Sequence, residues 1–270
     1  MKKIYIVCLA VLFASSCKED FTEVAPRGVI SSQSLATKEG VDLLLIGAYS
    51  MLDQMRTNIT NDYFSTGDKF WYDIMSDDAH KGGDNGDQAQ LFQLAMHNYE
   101  TNNPFIFDEW KGLYAGVNRA NGVIAQAALV EGVDLTTQIA EARFLRAHFN
   151  FNLTRSWRNV ANISENDLND PNKPNEGPLW AQIEEDFKFA IENLPPTQSQ
   201  SGRANQWSAK AYLGKVYLYE RKYAEAATIL QDVINNGPYA LLNEYFDNFA
   251  EAGEAGSEAV FSIQFQNDGG

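Results

Sequence analysis

From Lys38 onward, apolar residues fall three and four positions apart: Val41, Leu44, Leu45, Ala48, Tyr49 and Leu52. That spacing predicts an amphipathic helix from about Lys38 to Met55, with Thr37 as its N-cap. The period is lost between Arg56 and Asn103, where Asp, Asn, Gly and aromatic residues crowd together. An irregular connection of that length is uncommon in a compact domain and is often functional. Periodicity returns at Pro104, whose fixed φ suits a first helical position. Phe107, Trp110, Leu113, Tyr114, Val117, Ala120 and Ile124 are expected on its inner face. After a turn near Gly132, a further helix runs from about Thr136 to Arg155. Ala142, Leu145, Phe149 and Leu153 mark one of its faces, and Phe144 and Phe151 another. A helix apolar on two faces is packed on two sides, and His148, four residues after Phe144, reads as a packing residue.

Asn159 to Gly177 is a polar insertion that ends in a Pro/Asn/Gly cluster. Leu179 to Asn193 is amphipathic again, with Trp180, Ile183, Phe187, Ala190 and Ile191 inward. Glu184, Glu185 and Asp186 are expected on the solvated face. Past the breakers of 195–203, the chain from Trp207 matches a tetratricopeptide unit of about 34 residues. Leu213-Gly214, Tyr217, Ala226, Leu230 and Pro238 carry that match. Gly214 and Ala226 allow two helices to approach closely, and Pro238 stops the second. Such units stack to bury a core, so 136–155 with 179–193 reads as the preceding unit. Glu258 to Phe265 alternates apolar and polar, which predicts a strand. The fold class is therefore mainly α: a tetratricopeptide-like helical-repeat scaffold over 35–270, with long irregular loops and a short strand near the C-terminus.

The amino terminus has a different pattern. Lys2 and Lys3 precede an apolar run from Ile4 to Ala14, too short to span a bilayer as a mature helix. Small residues then lead to Cys17. This resembles a bacterial lipoprotein start, although Ala14 stands where the cleavage box usually has Leu. It implies a signal peptide over 1–16, a lipid anchor at Cys17 and a lipidated tether over 17–34. Lys18, Glu19 and Asp20 resemble the signal that sends lipoproteins to the outer face of an outer membrane.

Composition narrows the partners. The 270 residues are 44% hydrophobic, enough for a core, and carry a formal charge of −15. Such a surface repels phosphate backbones and excludes nucleic acid as a partner. No basic stripe attracts anionic lipid, so membrane attachment falls to acyl chains. With Cys8 inside the signal, Cys17 is the one cysteine left, which excludes an intramolecular disulfide and a thiolate metal site. The 16 Phe, 12 Tyr and 5 Trp exceed what a helical core requires and point to a ligand-facing surface.

These features together resemble the SusD/RagB family of nutrient-binding outer-membrane lipoproteins. The resemblance rests on the start through Cys17, CKEDFTEVAPRG, EARFLRAHFNFNLTR, LPPTQSQSGRANQWSAKAYLGKVYLYERKYAEA and SEAVFSIQFQ. It implies an all-helical scaffold with long loops that caps a TonB-dependent outer-membrane transporter and captures oligosaccharide, sometimes peptide, at the cell surface. Family members are usually much longer, so 35–270 resembles their N-terminal half, and much of the ligand site usually lies in the other part.

The candidate ligand region is GDKFWYDIMSDDAHKGGDNGD, from Gly67 to Asp87. Sugar recognition needs aromatic faces against C–H surfaces, with amides and carboxylates for hydroxyl pairs. Phe70, Trp71 and Tyr72 supply faces. Asp68, Asp77, Asp78, Asp84, Asn85 and Asp87 supply acceptors, and His80 and Lys81 donors. Trp71, Asp77 and Asp78 lead this set. The alternative reading makes the aromatics core anchors and the acids turn formers. A glycosidase needs two facing carboxyls, and neighbours such as Asp77 and Asp78 diverge, so no catalytic residue is assigned. No calcium-loop spacing closes Asp84–Asp87, and neither a metal nor a cofactor is expected. The reading is a surface-exposed, lipid-anchored capture protein for import. The alternative is a tetratricopeptide scaffold that binds only protein partners.

Overall fold

The computed structural model describes residues 32–53, 69–84, 86–167, 172–250, 253 and 256–264. Eight α-helices occur among them: α1 Lys38–Tyr49, α2 Lys69–Ile74, α3 Ala89–Ala95, α4 Pro104–Ala127, α5 Thr136–Trp157, α6 Trp180–Asn193, α7 Gln206–Tyr219 and α8 Tyr223–Asn236. The segment expected to be a signal peptide, Cys17 and the expected tether up to residue 31 lie outside the described residues, as do Asp68, Asn85 and Phe265. The same holds for the side chains of Phe70 and Trp71, although α2 includes both positions.

Helix α1 starts as expected: the Thr37 hydroxyl accepts from the Gly40 N–H at 3.1 Å. It ends at Tyr49 and tightens into a 3-10 turn over Ser50–Asp53 instead of running to Met55. Two further helices, α2 and α3, fall inside the segment expected to be irregular. At six and seven residues they are too short for a repeating apolar face to register. Ile74, Leu91, Leu94 and Phe105 form a small core of their own there. Asn103 joins this region to α4: its side-chain oxygen caps the Phe105 N–H at 3.1 Å, and its amide donates to the Gln90 carbonyl at 2.9 Å.

Helices α4 to α8 pack consecutively, each on the next, and α1 lies on α4 and α5. Helix α5 is the centre of this array, covered by α4 on one side and α6 on the other. Phe144, Leu145, Phe149, Phe151 and Leu153 along it are buried. Full burial contributes roughly 1.5–3 kcal/mol for each such side chain, so this helix anchors the fold. Two glycines set the helix spacing. A Cβ at Gly116 would lie 2.6 Å from the Phe149 ring, and one at Gly214 would lie 2.5 Å from Leu230. The α7–α8 pair thus has the close approach that the tetratricopeptide match predicts. A capping box in which Asn205 and Ser208 bond reciprocally starts α7.

Three expectations need correction. Phe107 is exposed, because it lies on the side of α4 opposite Phe105, Leu113 and Ala120; Lys111 covers its ring at 4.7 Å. Asp186 and Glu184 are buried rather than solvated. Asp186 receives two bonds from Arg146, both at 2.7 Å, and Glu184 is bonded by Lys188 at 2.6 Å and by Lys222. The strand expected near the C-terminus does not form over the described residues 258–264. Alternation supplies two faces but no partner ladder, and a strand without one leaves its backbone groups unpaired. Among the described residues the single bridge joins Val160 to Gly177 and closes the polar insertion.

Candidate functional site

The end of α2, the turn after it and the start of α3 enclose a cavity of about 440 Å³. Ile74, Ala79 and Leu91 are its apolar residues, and Asp73, His80, Lys81, Asp87 and Gln88 bring polar groups to it. The expected region and the cavity therefore coincide, but only part of the expected set lines it. Lys81, His80 and Asp87 do; Asp77 and Asp78 are exposed nearby and do not.

Local bonds give the turn a defined shape. Gly82 and Gly83 adopt φ of +71° and +61°, a region that favours glycine. His80 Nδ1 accepts the Gly82 N–H at 2.9 Å, which leaves the proton of a neutral ring on Nε2. Lys81 is drawn inward, its side chain 3% exposed; Nζ donates to the Asp84 carbonyl at 2.6 Å and lies 3.9 Å from Asp87 Oδ2. Asp84 Oδ1 accepts the Gly86 N–H at 2.7 Å. Lys81 and Asp84 thus hold the turn, while His80 Nε2, the Asp87 carboxylate and the Gln88 amide supply donors and acceptors of the kind sugar hydroxyls use. Among the described residues, no group of three or more His, Cys, Asp or Glu side chains is placed to hold a metal ion.

Tyr72, expected as a sugar-facing ring, is used in packing. Its hydroxyl bonds Ser156 Oγ, and the Arg155 guanidinium lies 4.2 Å from its ring centroid. Those contacts dock α2 against the C-terminal end of α5 and fix the cavity on the scaffold. A second cavity, of about 230 Å³, lies between the 196–205 linker and residues 238–239 and 259–262. Several of its polar groups bond within the protein: Gln198 to the Ala204 carbonyl at 2.7 Å, and Arg203 to Glu141 at 3.1 Å and Gln200 at 3.1 Å.

Beneath these surfaces lies a buried polar cluster that the pattern of apolar positions did not reveal. Arg146 of α5 bonds Asp186 of α6, Asn121 of α4 at 2.9 Å and Glu165 of the insertion at 2.6 Å. Burial works against the charge on Arg146, but its bonds to Asp186 and Glu165 outweigh this and raise the guanidinium pKa. An arginine inside a helix apolar on two faces was the available signal, since a buried charge requires a partner. His148 lies on the same helix. Its Nδ1 meets the Tyr212 hydroxyl at 3.0 Å, and burial, with Arg155 and Lys215 nearby, pushes its pKa down to about 3.

A helical array with this loop-bounded cavity defines a binding scaffold, and comparison with known proteins identifies which. A family described as SusD-like, starch-binding and associating with the outer membrane, matches residues 29–218. The chain belongs to this SusD-like family, a family of non-catalytic glycan-binding proteins. It is 22% identical to SusD-like protein P25 of Formosa agariphila, with 97% of this chain and 52% of that protein covered. A SusD-like protein of Bacteroides ovatus is 25% identical, over 97% of this chain and 50% of its own. Among solved structures, a laminarin-binding SusD-like protein is 28% identical with a TM-score of 0.69, covering 80% of this chain and 50% of that one. Surface glycan-binding protein A of Bacteroides thetaiotaomicron, solved with laminarihexaose, is 21% identical with a TM-score of 0.72, covering 86% and 50%. The last likeness establishes the fold. The chain spans about half the length of the relatives it matches.

Proposed function

We propose that this protein captures an oligosaccharide at the outer surface of an outer membrane and passes it to a TonB-dependent transporter. Cys17 is the acylated anchor, 17–34 the tether, and 35–270 the N-terminal helical half of a SusD-like protein. The observation that carries the reading is the cavity bounded by His80, Lys81, Asp87 and Gln88 on a SusD-like scaffold. The laminarin-binding relative makes a laminarin-type glucan the first ligand to try. Trp71, on α2 beside this cavity's residues in sequence, is the proposed stacking ring, with Phe70 beside it. Asp77, Asp78, Asp84 and Asn85 are proposed as the outer contacts.

The test is substitution within this loop. Trp71→Ala and Asp87→Ala each weaken binding of laminarihexaose by about tenfold or more, the scale of losing one stacking or charged hydrogen-bonding partner. Helical circular dichroism stays at the wild-type level. Unchanged affinity in both variants would move the site elsewhere, and a scaffold that binds only proteins would show no affinity to lose.

A further inference from the structure

The end of the helical stack on which α2 docks carries a second set of rings. Phe151 near the end of α5, Trp180 at the first position of α6 and Tyr219 at the last position of α7 come together there. The Phe151 ring centroid lies 5.0 Å from that of Tyr219 and 6.2 Å from that of Trp180, and the latter two are 6.3 Å apart. Phe151 is buried and forms the floor, while Tyr219 is 49% exposed and Trp180 is half-buried. A tyrosine hydroxyl or an indole N–H set beside an apolar body is suited to a partner that is wet on one side. Neither the Tyr219 hydroxyl nor the Trp180 N–H bonds any of the described residues. Lys215, one turn before Tyr219 on α7, is exposed. Its Nζ lies 5.6 Å from the Phe151 centroid and pairs with no carboxylate among the described residues.

Arg155, one turn after Phe151, joins these rings to the cavity. Its guanidinium lies 5.7 Å from the Phe151 centroid and 4.2 Å from that of Tyr72. Tyr72 directly precedes Asp73 and Ile74, which line the cavity. No step from the Tyr72 ring through Arg155 and Phe151 to the Tyr219 ring exceeds 5.7 Å. The two surfaces are therefore neighbours on one end of the scaffold. Ring faces with donors at their edges suit a sugar, whose C–H face lies on a ring while its hydroxyls take the donors.

We propose that Trp180 and Tyr219, with Lys215, form a second sugar platform, and that a glycan held in the α2–α3 cavity continues past Arg155 to reach it. The proposal rests on the reading of that cavity as a glycan site. The occupant follows from continuity: a chain of sugar rings that leaves the cavity over Tyr72 meets these side chains next. Two points of grip make the protein a reader of glycan length, because only a chain long enough to touch both gains the second set of contacts.

The experiment titrates the 270-residue chain with laminarihexaose and with laminaritriose. Trp180→Ala weakens the hexasaccharide by about tenfold, the scale of a lost stacking ring, and leaves the trisaccharide within about twofold. Tyr219→Phe, which removes only a hydroxyl, weakens the hexasaccharide by about threefold. Trp71→Ala weakens both sugars. Because Trp180 also packs on Phe151, the wild-type chain supplies a readout free of any fold change. The indole N–H resonance of Trp180, assigned by its absence from Trp180→Phe, shifts on saturation with the hexasaccharide. A resonance that does not move at saturation would overturn the proposal alone. So would hexasaccharide affinity that falls in Trp71→Ala but not in Trp180→Ala or Tyr219→Phe. Equal losses of both sugars in Trp180→Ala would also overturn it, since the ring would then act through the fold. A wild-type chain that binds neither sugar would overturn the glycan reading of the cavity, and the proposal with it.

Discussion

Two glycines in α4 should respond to the same substitution with opposite signs. Replacing a helix-interior glycine with alanine gains about 1 kcal/mol, because alanine restricts the unfolded backbone and favours the helix. At Gly122 nothing lies within 4 Å of the added Cβ, so Gly122→Ala should raise stability by about that amount. At Gly116 the Cβ would sit 2.6 Å from three atoms of the Phe149 ring. That ring is buried on α5 and has no solvent side to move into. Overpacking of this kind costs about 1–3 kcal/mol, and three contacts this short place it toward the upper end. After the propensity gain, Gly116→Ala should lose about 1–2 kcal/mol. The two variants should therefore differ by about 2–3 kcal/mol in urea unfolding at constant slope, or about 4–12 °C in melting temperature. If Gly116→Ala is as stable as Gly122→Ala, α4 and α5 are not in the close contact described, and the packing account fails.

Other consequences follow from the buried polar groups. Arg146→Met leaves buried Asp186 with only the longer contacts to Arg143 at 3.4 Å and Gln182 at 3.3 Å, and should lose about 3 kcal/mol, the lower end of the cost of breaking a buried pair. Adding Asp186→Leu should restore a large part of that, and a single-variant loss below about 1 kcal/mol would show the pair to be idle. His148 predicts a pH dependence. Its folded pKa, about 3, lies below the unfolded value, so the unfolded chain binds the extra proton. The stabilising effect is complete above about pH 7 and declines as pH falls through 6.5 toward 3. Because part of His148 reaches the surface, the contribution lost between pH 7 and pH 5 is set at about 1–2 kcal/mol. His148→Gln should flatten the urea midpoint over that window by this amount, and an unchanged slope would refute the assignment.

The long helices were legible because they repeat. Helices α4 to α8 start or stop within a few residues of the positions that apolar spacing, Pro104 and Pro238 indicate. Gly214 was legible as a helix-contact glycine because the tetratricopeptide spacing puts a small residue there. The short helices α2 and α3 were not, since under two turns no period accumulates. Asp186 was misplaced because a run of three acids reads as a solvated face. Its burial depends on Arg146, forty positions away, which local pattern cannot see. In the loop, composition marked a region that borders a cavity but not the direction of each side chain. Lys81 and Asp84 close the turn, and Tyr72 packs on Ser156 and Arg155. Those roles come from the backbone path that Gly82 and Gly83 allow and from contacts with α5, and the order of residues in the loop specifies neither the path nor the contacts.

The central claim is that this chain holds a glycan through the loop ending at Asp87. Calorimetric titration of the chain with laminarihexaose, beside an unrelated oligosaccharide of equal length, tests it most directly. Saturable one-to-one binding that falls by about tenfold in Trp71→Ala is the predicted result. No heat with any glycan, while a partner protein binds the same preparation, would contradict the claim.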